Sequence, residues 1–325
     1  MPRTLLLLSL LGLALATLVL ALGIGSASFS LAETWSGLMG NGDPLVRELV
    51  YGVRMPRALT AFGTGAALAV AGVMLQVLLR NPLADPYILG TSGGAAAAAL
   101  SAMAMGASGL LLNGAAFVGA LGSTALVFGL ARSGGNWAPG RLLLTGVVTA
   151  AGWGALVTLI LALAPDASLR GMLFWLMGDF SFAQNPWPII IIAAAAVLAG
   201  LTIAPALNVL ATGQDQAMLL GVSVVPLRIS LYLFSSLLTA VAVTTAGTVG
   251  FVGLVIPHLV RLLVGADHRI VIPCSALAGG TLLMAADLLA RTIVAPQQLP
   301  VGAITAALGV PLFLVLLRNN QSIKD

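Results

Sequence analysis

Residues 58–79 read ALTAFGTGAALAVAGVMLQVLL, a run of 22 residues without a charge, closed by Arg57 before it and Arg80 after it. A helix of about 20 apolar residues crosses the roughly 30 Å of hydrocarbon in a bilayer. The run is apolar all round, whereas a barrel strand alternates polarity over roughly 10 residues. Comparable stretches lie at 4–24, 91–107, 111–131, 142–165, 188–208, 229–249, 250–265, 271–290 and 301–317. Several are short or broken by Gly and Pro. The 325-residue chain is 59% hydrophobic and 7% charged, with a mean hydropathy of +1.08. A soluble domain carries roughly 25% charged residues, so water is not the main solvent here. The expectation is an all-α membrane protein of about ten spans, with residues 1–325 forming one polytopic domain.

The first run needs its own decision. Arg3 followed by Leu5–Leu20 has the charged start and apolar stretch of a signal peptide,. The stretch is long for one and many spans follow, so it reads as the first helix. With the N-terminus inside, ten spans place Arg3, Arg80, Arg132, Arg141, Arg228, Arg261, Arg269, Arg318 and Lys324 on the cytoplasmic side. Arg47, Arg54, Arg57, Arg170 and Arg291 then face out. That excess obeys the positive-inside tendency weakly, with both termini in the cytoplasm. The sequence pI near 10 is no nucleic-acid signature, because the basic residues are scattered over many loops rather than gathered in a stripe. Cys274 is alone and reads as a small apolar residue in a helix.

Absent motifs narrow the function. The single lysine is Lys324, so no P-loop lysine exists to hold nucleotide phosphates. No H-E-x-x-H, C-x-x-C or G-x-S-x-G occurs, and neither His258 nor His268 has a second histidine four residues on. No metal or cofactor is expected. Asp287 is the one acidic residue well inside an apolar run, with Arg291 four residues later on the same helical face,. An ionisable residue in a span is a functional candidate; the plain alternative is an Asp–Arg pair near a helix end.

Two stretches look like distant copies: Gly72-Val-Met-Leu-Gln-Val-Leu-Leu-Arg80 and Gly253-Leu-Val-Ile-Pro-His-Leu-Val-Arg261. They fit the internal repeats from which many transporters are built, giving two weakly repeated halves. Gly and Pro also punctuate helix ends at Gly90–Gly94 and Thr245–Gly253. Interrupted helices at membrane depth either line a cavity or lie buried in protein.

The segment Arg54-Met-Pro-Arg57 is more specific. It is followed by Gly65-Ala-Ala-Leu-Ala-Val-Ala-Gly72, Gln76, Asn81-Pro-Leu-Ala-Asp-Pro86 and Leu89-Gly90. The C-terminal half adds Gly250-Phe-Val-Gly-Leu-Val-Ile-Pro-His258 with Arg261, then Asp287, Arg291, Leu299-Pro-Val-Gly302 and Gly309-Val-Pro311. In this order, across roughly residues 50–318, the chain resembles the FecCD permeases, membrane subunits of ABC importers for ferric siderophores, haem and vitamin B12. The resemblance implies a homodimer of ten-helix subunits with the pathway on the two-fold axis. Two copies of a cytoplasmic ATPase would sit on one side and a periplasmic binding protein opposite, in a bacterial inner membrane whose lipid surrounds the subunits. It also implies alternating access with a metal chelate as cargo.

Carried over by the same resemblance, Arg54, Arg57 and Arg291 would receive acidic side chains of the binding protein, a pairing that guanidinium forks suit. The loop from Thr212 to Val222, with Gln214, Asp215, Gln216, Ala217 and Gly221, resembles the coupling segment that docks on the ATPase. Ala217 and Gly221 are small and spaced i, i+4, as a close-packed helical face requires. The pathway would be lined partly by the helix beginning near Gly140 and by parts of the second and eighth spans. One departure stands out: Gln297-Gln298 replaces the acidic residue that family members usually carry before the final Leu-Pro-x-Gly. Two other readings remain open. An ion-coupled secondary transporter would need a midplane titratable site, for which Asp287 is the candidate, and an intramembrane enzyme would need clustered catalytic groups.

Overall fold

The structure, a computed structural model, describes residues 3–25, 31–40, 43–131, 139–181 and 183–321. Arg132 and Lys324, both counted in the charge asymmetry, lie outside the described residues. The first half of the chain forms α1 (Arg3–Gly23), α2 (Leu31–Leu38), α3 (Pro44–Glu48), α4 (Met55–Leu79), α5 (Thr91–Ala104), α6 (Gly109–Ala131) and α7 (Pro139–Leu163). The second forms α8 (Asp166–Met177), α9 (Trp187–Thr212), α10 (Gln214–Leu219), α11 (Val224–Ala246), α12 (Val252–Val264), α13 (His268–Thr292) and α14 (Val301–Gln321). No strand occurs among the described residues.

Each of the ten apolar runs forms a helix. The reason is backbone hydrogen bonding: in hydrocarbon every N–H and C=O must find its partner inside the segment. Among the described residues, seven helices are long and apolar enough to cross a membrane. These are α1, the continuous helix from Pro44 through α4, α6, α7, α9, α11 and α13. The runs in α12 and α14 are shorter apolar helices, and α5 has 14 residues.

The α4 run is the core of the molecule. It is entered through a wide π-type turn, Leu49–Arg54, and is buried almost without interruption from Pro56 to Leu79. Helices α9, α11, α12 and α13 pack around it, while α5, α6 and α7 form a second group joined through α11. Lipid supplies no hydrophobic drive between helices, so close backbone approach through small residues does the work. A methyl group on Gly65 would overlap the carbonyl of Gly279 in α13, and one on Gly72 would overlap that of Gly253 in α12. The two Gly-to-Arg segments read as copies therefore lie against each other. Gln76 fastens them: its Nε2 donates to the carbonyls of Gly253 at 3.3 Å and Leu254 at 3.1 Å, and its Oε1 accepts from Arg261.

The first helix is part of this packing. It lies along α13, and its last carbonyls are held by side chains of the π-type turn before α4 and of α13.

Candidate functional site

The two ends of α4 carry the residues of interest. Its 25 residues separate them by about 37 Å at 1.5 Å per residue.

At the first end the π-type turn and the opening turn of α4 present Arg54 and Arg57, while the last turns of α13 present Asp287 and Arg291. Arg57 Nε donates to Asp287 Oδ1 and Oδ2, both at 3.0 Å, and Arg57 Nη2 donates to Oδ1 at 2.8 Å. Asp287 is 1% exposed. The i, i+4 pair expected from sequence is present but loose, with Arg291 Nε 3.9 Å from Asp287 Oδ2. The principal partner of Asp287 is thus Arg57, 230 residues away in the chain. Arg54 Nη1 donates to the carbonyls of Leu22 at 2.8 Å and Gly23 at 3.2 Å. Arg291 Nη2 donates to that of Ala21. Both cations thereby satisfy terminal carbonyls of α1, at the negative end of its dipole.

The structure brings all three predicted arginines together, in a recess rather than on a protruding surface. Arg54, Arg57 and Arg291 are 3%, 6% and 6% exposed. With Gly25, Val53 and Gln298 they line a cavity of about 60 Å³. Gln298 sits at its exposed edge. Its Oε1 accepts from Arg57 Nη1 at 2.9 Å and lies 2.9 Å from Ser181 Oγ. Gln298 thus offers Arg57 a neutral acceptor. Ser181 Oγ in turn lies 2.6 Å from Asp179 Oδ1, a neighbour that the sequence reading did not include.

At the other end, Arg80 closes α4 with a left-handed φ of 50°, and α10 lies beside the end of α9. Here one expectation is corrected. Ala217 and Gly221 do not share an exposed helical face. Ala217 is fully buried, and α10 stops at Leu219, with Gly221 beyond it at φ +80°. Gly221 N–H donates to the Met218 carbonyl and Val222 N–H to that of Ala217. These bonds make a glycine-terminated helix end that needs the left-handed conformation. What the turn displays instead is Met218, Leu219 and Leu220, at 51%, 87% and 69% exposure, with Asp215 and Gln216 also exposed and Gln214 half-buried. Three consecutive apolar residues in a polar loop were the available signal.

A third feature lies between the ends. The interruptions at 81–90 and 247–251 meet, with Val249 N–H donating to Tyr87 Oη at 3.1 Å. Together with Val147 and Ala150 of α7 and Leu254 of α12 they line a cavity of about 380 Å³. Phe251, at φ +70°, contributes a backbone conformation that bulky residues rarely hold without compensation. Of the three helices expected to line a pathway, α7 and α12 reach this cavity. The second span does so only through the connection that follows it, because α4 itself is buried on all sides. In that connection Asp85 accepts from Tyr87 N–H at 2.7 Å. Burial pushes its carboxyl up to about 6, against the lowering effect of that hydrogen bond,. Tyr87 is likewise pushed up by burial.

A solved metal-chelate type ABC transporter in an inward-facing conformation superposes on this chain with a TM-score of 0.85 and 34% identity, covering 96% of this chain and 98% of that one. The fold and its interrupted helices are those of an ABC importer permease. The profile of the FecCD transport family matches residues 13–319, and the chain belongs to that family. It is 41% identical to the hemin transport system permease of Yersinia pestis over 309 residues, 92% of this chain and 90% of that one. It is 38% identical to the vitamin B12 import permease of Vibrio cholerae over 318 residues, 96% and 94% of the two chains. The protein is a multi-pass membrane transport component, and the ion-coupled alternative is not favoured.

Proposed function

We propose that this single-domain chain is the permease of an ATP-driven importer in a bacterial inner membrane. It works as a homodimer of ten-span subunits with both termini in the cytoplasm. Two copies of a separate ABC ATPase bind the α10 side, and a periplasmic binding protein docks on the Arg54, Arg57 and Arg291 side. Cargo is a metal chelate of the siderophore, haem or cobalamin kind, delivered by alternating access. The observation that carries this reading is the segregation of the two features to opposite ends of one buried helix: a cationic recess at one end, an apolar turn at the other. The cationic end suits carboxylates, which guanidinium groups bind in pairs and attract over distance. The apolar turn suits a groove on a soluble partner, with Asp215 and Gln216 at its rim and Gln214 beside it. Exposed α7, the least buried of the seven long helices, fits a helix facing a second copy and a pathway.

The test is uptake in proteoliposomes holding the chain with candidate ATPase and binding protein, offered labelled ferric siderophore, haem and cobalamin in parallel. ATP-dependent uptake of one cargo that needs both partners is the expected result. Uptake without ATP or partners overturns the proposal. Within that system Arg54→Gln is expected to weaken binding-protein docking while leaving ATPase assembly intact. Equal loss of both would remove the docking assignment.

A further inference from the structure

We infer that Arg80 and Arg228 form a cationic seat beside the α10 turn, and that it receives a carboxylate side chain of the ATPase. This rests on the reading above in which the ATPase binds the α10 side, and it adds a charged contact to the apolar one. Placement comes first. Arg80 ends α4 at φ 50°, a conformation that long side chains rarely adopt, and it is exposed. Its guanidinium lies beside the link between α9 and α10: a methyl group on Gly213 would sit 3.9 Å from Arg80 Nη2. Arg228 stands in the second turn of α11. That helix packs on α4 and touches α10, and the charge of Arg80 reaches Arg228.

Neither cation has a counter-charge. Among the described residues, Arg80 and Arg228 make no ion pair and no side-chain hydrogen bond. Arg261, the third arginine near this end, differs in donating to Gln76 Oε1. The carboxylates of the neighbouring connections are engaged elsewhere: Asp85 accepts from Tyr87 N–H, and Asp267 from Asn208 Nδ2 and Arg269 N–H. Asp215, exposed in the first turn of α10, pairs with neither arginine. Two like charges held within reach of each other repel, and a carboxylate placed between them favours both. Guanidinium forks suit that group in particular.

The surroundings choose a protein over a lipid as the source of the carboxylate or other anion. Arg228 shares its helical face with Leu231, Tyr232 and Ser235, all buried,. That face meets α4, where Ser235 Oγ donates to the Ala71 carbonyl. Leu233 and Leu237, on the opposite side of α11, are the exposed residues that lipid would cover. The seat therefore belongs to the inner face of α11 and the α10 link, not to the lipid-facing side. Beside it stand Met218, Leu219 and Leu220, all exposed. An apolar patch flanked by charge has the anatomy of a protein–protein interface, with its apolar core and polar rim.

The test uses the full chain in detergent with the ATPase that supports uptake in the proteoliposome assay. Arg80→Glu should weaken their association about tenfold or more, the scale of a hydrogen bond to a charged group, and should flatten its dependence on salt. Arg228→Glu should act likewise, and Arg170→Gln, an exposed site stacked on Phe174, should change neither. Arg80 is exposed, so Arg80→Glu decides should Arg228→Glu fail to fold. Arg80→Lys gives a direct readout, because Lys324 is the one lysine of the chain. A carbodiimide-activated carboxylate joins the new amine as an amide, and peptide mass spectrometry locates the bond. A crosslink from position 80 to an aspartate or glutamate of the ATPase supports the seat; a crosslink confined to Asp215 of the chain itself, or none, overturns it. Unchanged affinity and salt dependence in a folded Arg80→Glu protein also overturn it. If that variant instead loses a phospholipid that native mass spectrometry finds on the parent, the occupant is a lipid headgroup and the proposal falls. Leu219→Glu separates the two claims. Association lost there but kept in Arg80→Glu defeats the seat alone, and association kept in both defeats the α10 reading together with the seat.

Discussion

The two ends of α4 solve opposite problems. At its start, charges are drawn inward: Arg57 grips Asp287, Arg54 and Arg291 hold the last carbonyls of α1, and all three cations are nearly shut from solvent. At its end, apolar side chains are pushed outward: Leu219 is 87% exposed on a turn terminated by Gly221. A buried charge needs a counter-charge or hydrogen-bond partner within the subunit, whereas an exposed leucine is covered by nothing in it. The contrast teaches that the charged end is tied into the packing of the subunit, whereas the apolar turn is left uncovered by it.

The sharpest way to break this comparison is Asp287→Ala. It leaves Arg57 buried without its counter-charge, and loss of one member of a buried pair costs about 3–5 kcal/mol. Thermal unfolding in detergent should show that loss. A midpoint equal to the parent's would mean that the cluster is not structural. At the other end the expected effects divide between two neighbouring residues. Ala217→Leu overfills a closed site and should cost about 1–3 kcal/mol. Leu219→Glu should change stability by less than about 0.5 kcal/mol yet abolish co-purification with the ATPase. If Leu219→Glu retains the ATPase, the turn is not the coupling surface.

A smaller effect sharpens the role of the neutral acceptor Gln298. Gln298→Glu places a carboxylate on Arg57 at an exposed edge, where such pairs contribute about 1 kcal/mol or less. A slight rise in thermal midpoint is expected, and an unchanged or lowered midpoint would show that Arg57 gains nothing from a carboxylate there. The smallest effect concerns neither end. The carboxyl of Asp85 titrates at about 6 in the fold, raised from 3.8, so the folded state holds the proton more tightly than the unfolded one. Stability from that group is fully present below about pH 4 and fades as pH rises through about 6. Asp85→Asn keeps a side chain able to cap the Pro86–Leu89 turn and should flatten the dependence of the thermal midpoint over that window. An unchanged pH profile would remove Asp85 as its source.

Much of this was legible in advance, and the reasons differ by region. The apolar runs could be read because crossing a bilayer constrains every residue of a segment by its own polarity. Asp287 and Arg291 could be paired because four residues along one helix are neighbours by geometry. Arg57 could not be matched to Asp287, since nothing local links positions 230 residues apart. In the segment from Thr212 to Val222, expected to carry a small-residue helical face, that face was misjudged. Gly221 was read as a small residue within a helix, when its capacity for positive φ made it the helix terminator. That change of role turned Ala217 inward and left Met218 to Leu220 outside.

The sequence by itself determined the class of this protein. It is helical because hydrocarbon forbids unpaired backbone, and it resembles the FecCD permeases through motifs spread along the chain. The tertiary structure alone decided which charges meet, that three arginines line one recess beside Asp287, that Gln298 accepts from Arg57, and that leucine rather than alanine faces outward from α10. These are questions of distance between remote segments and of which side of a short helix is covered. Packing of glycine on glycine between α4, α12 and α13 answers the first, and a left-handed glycine answers the second.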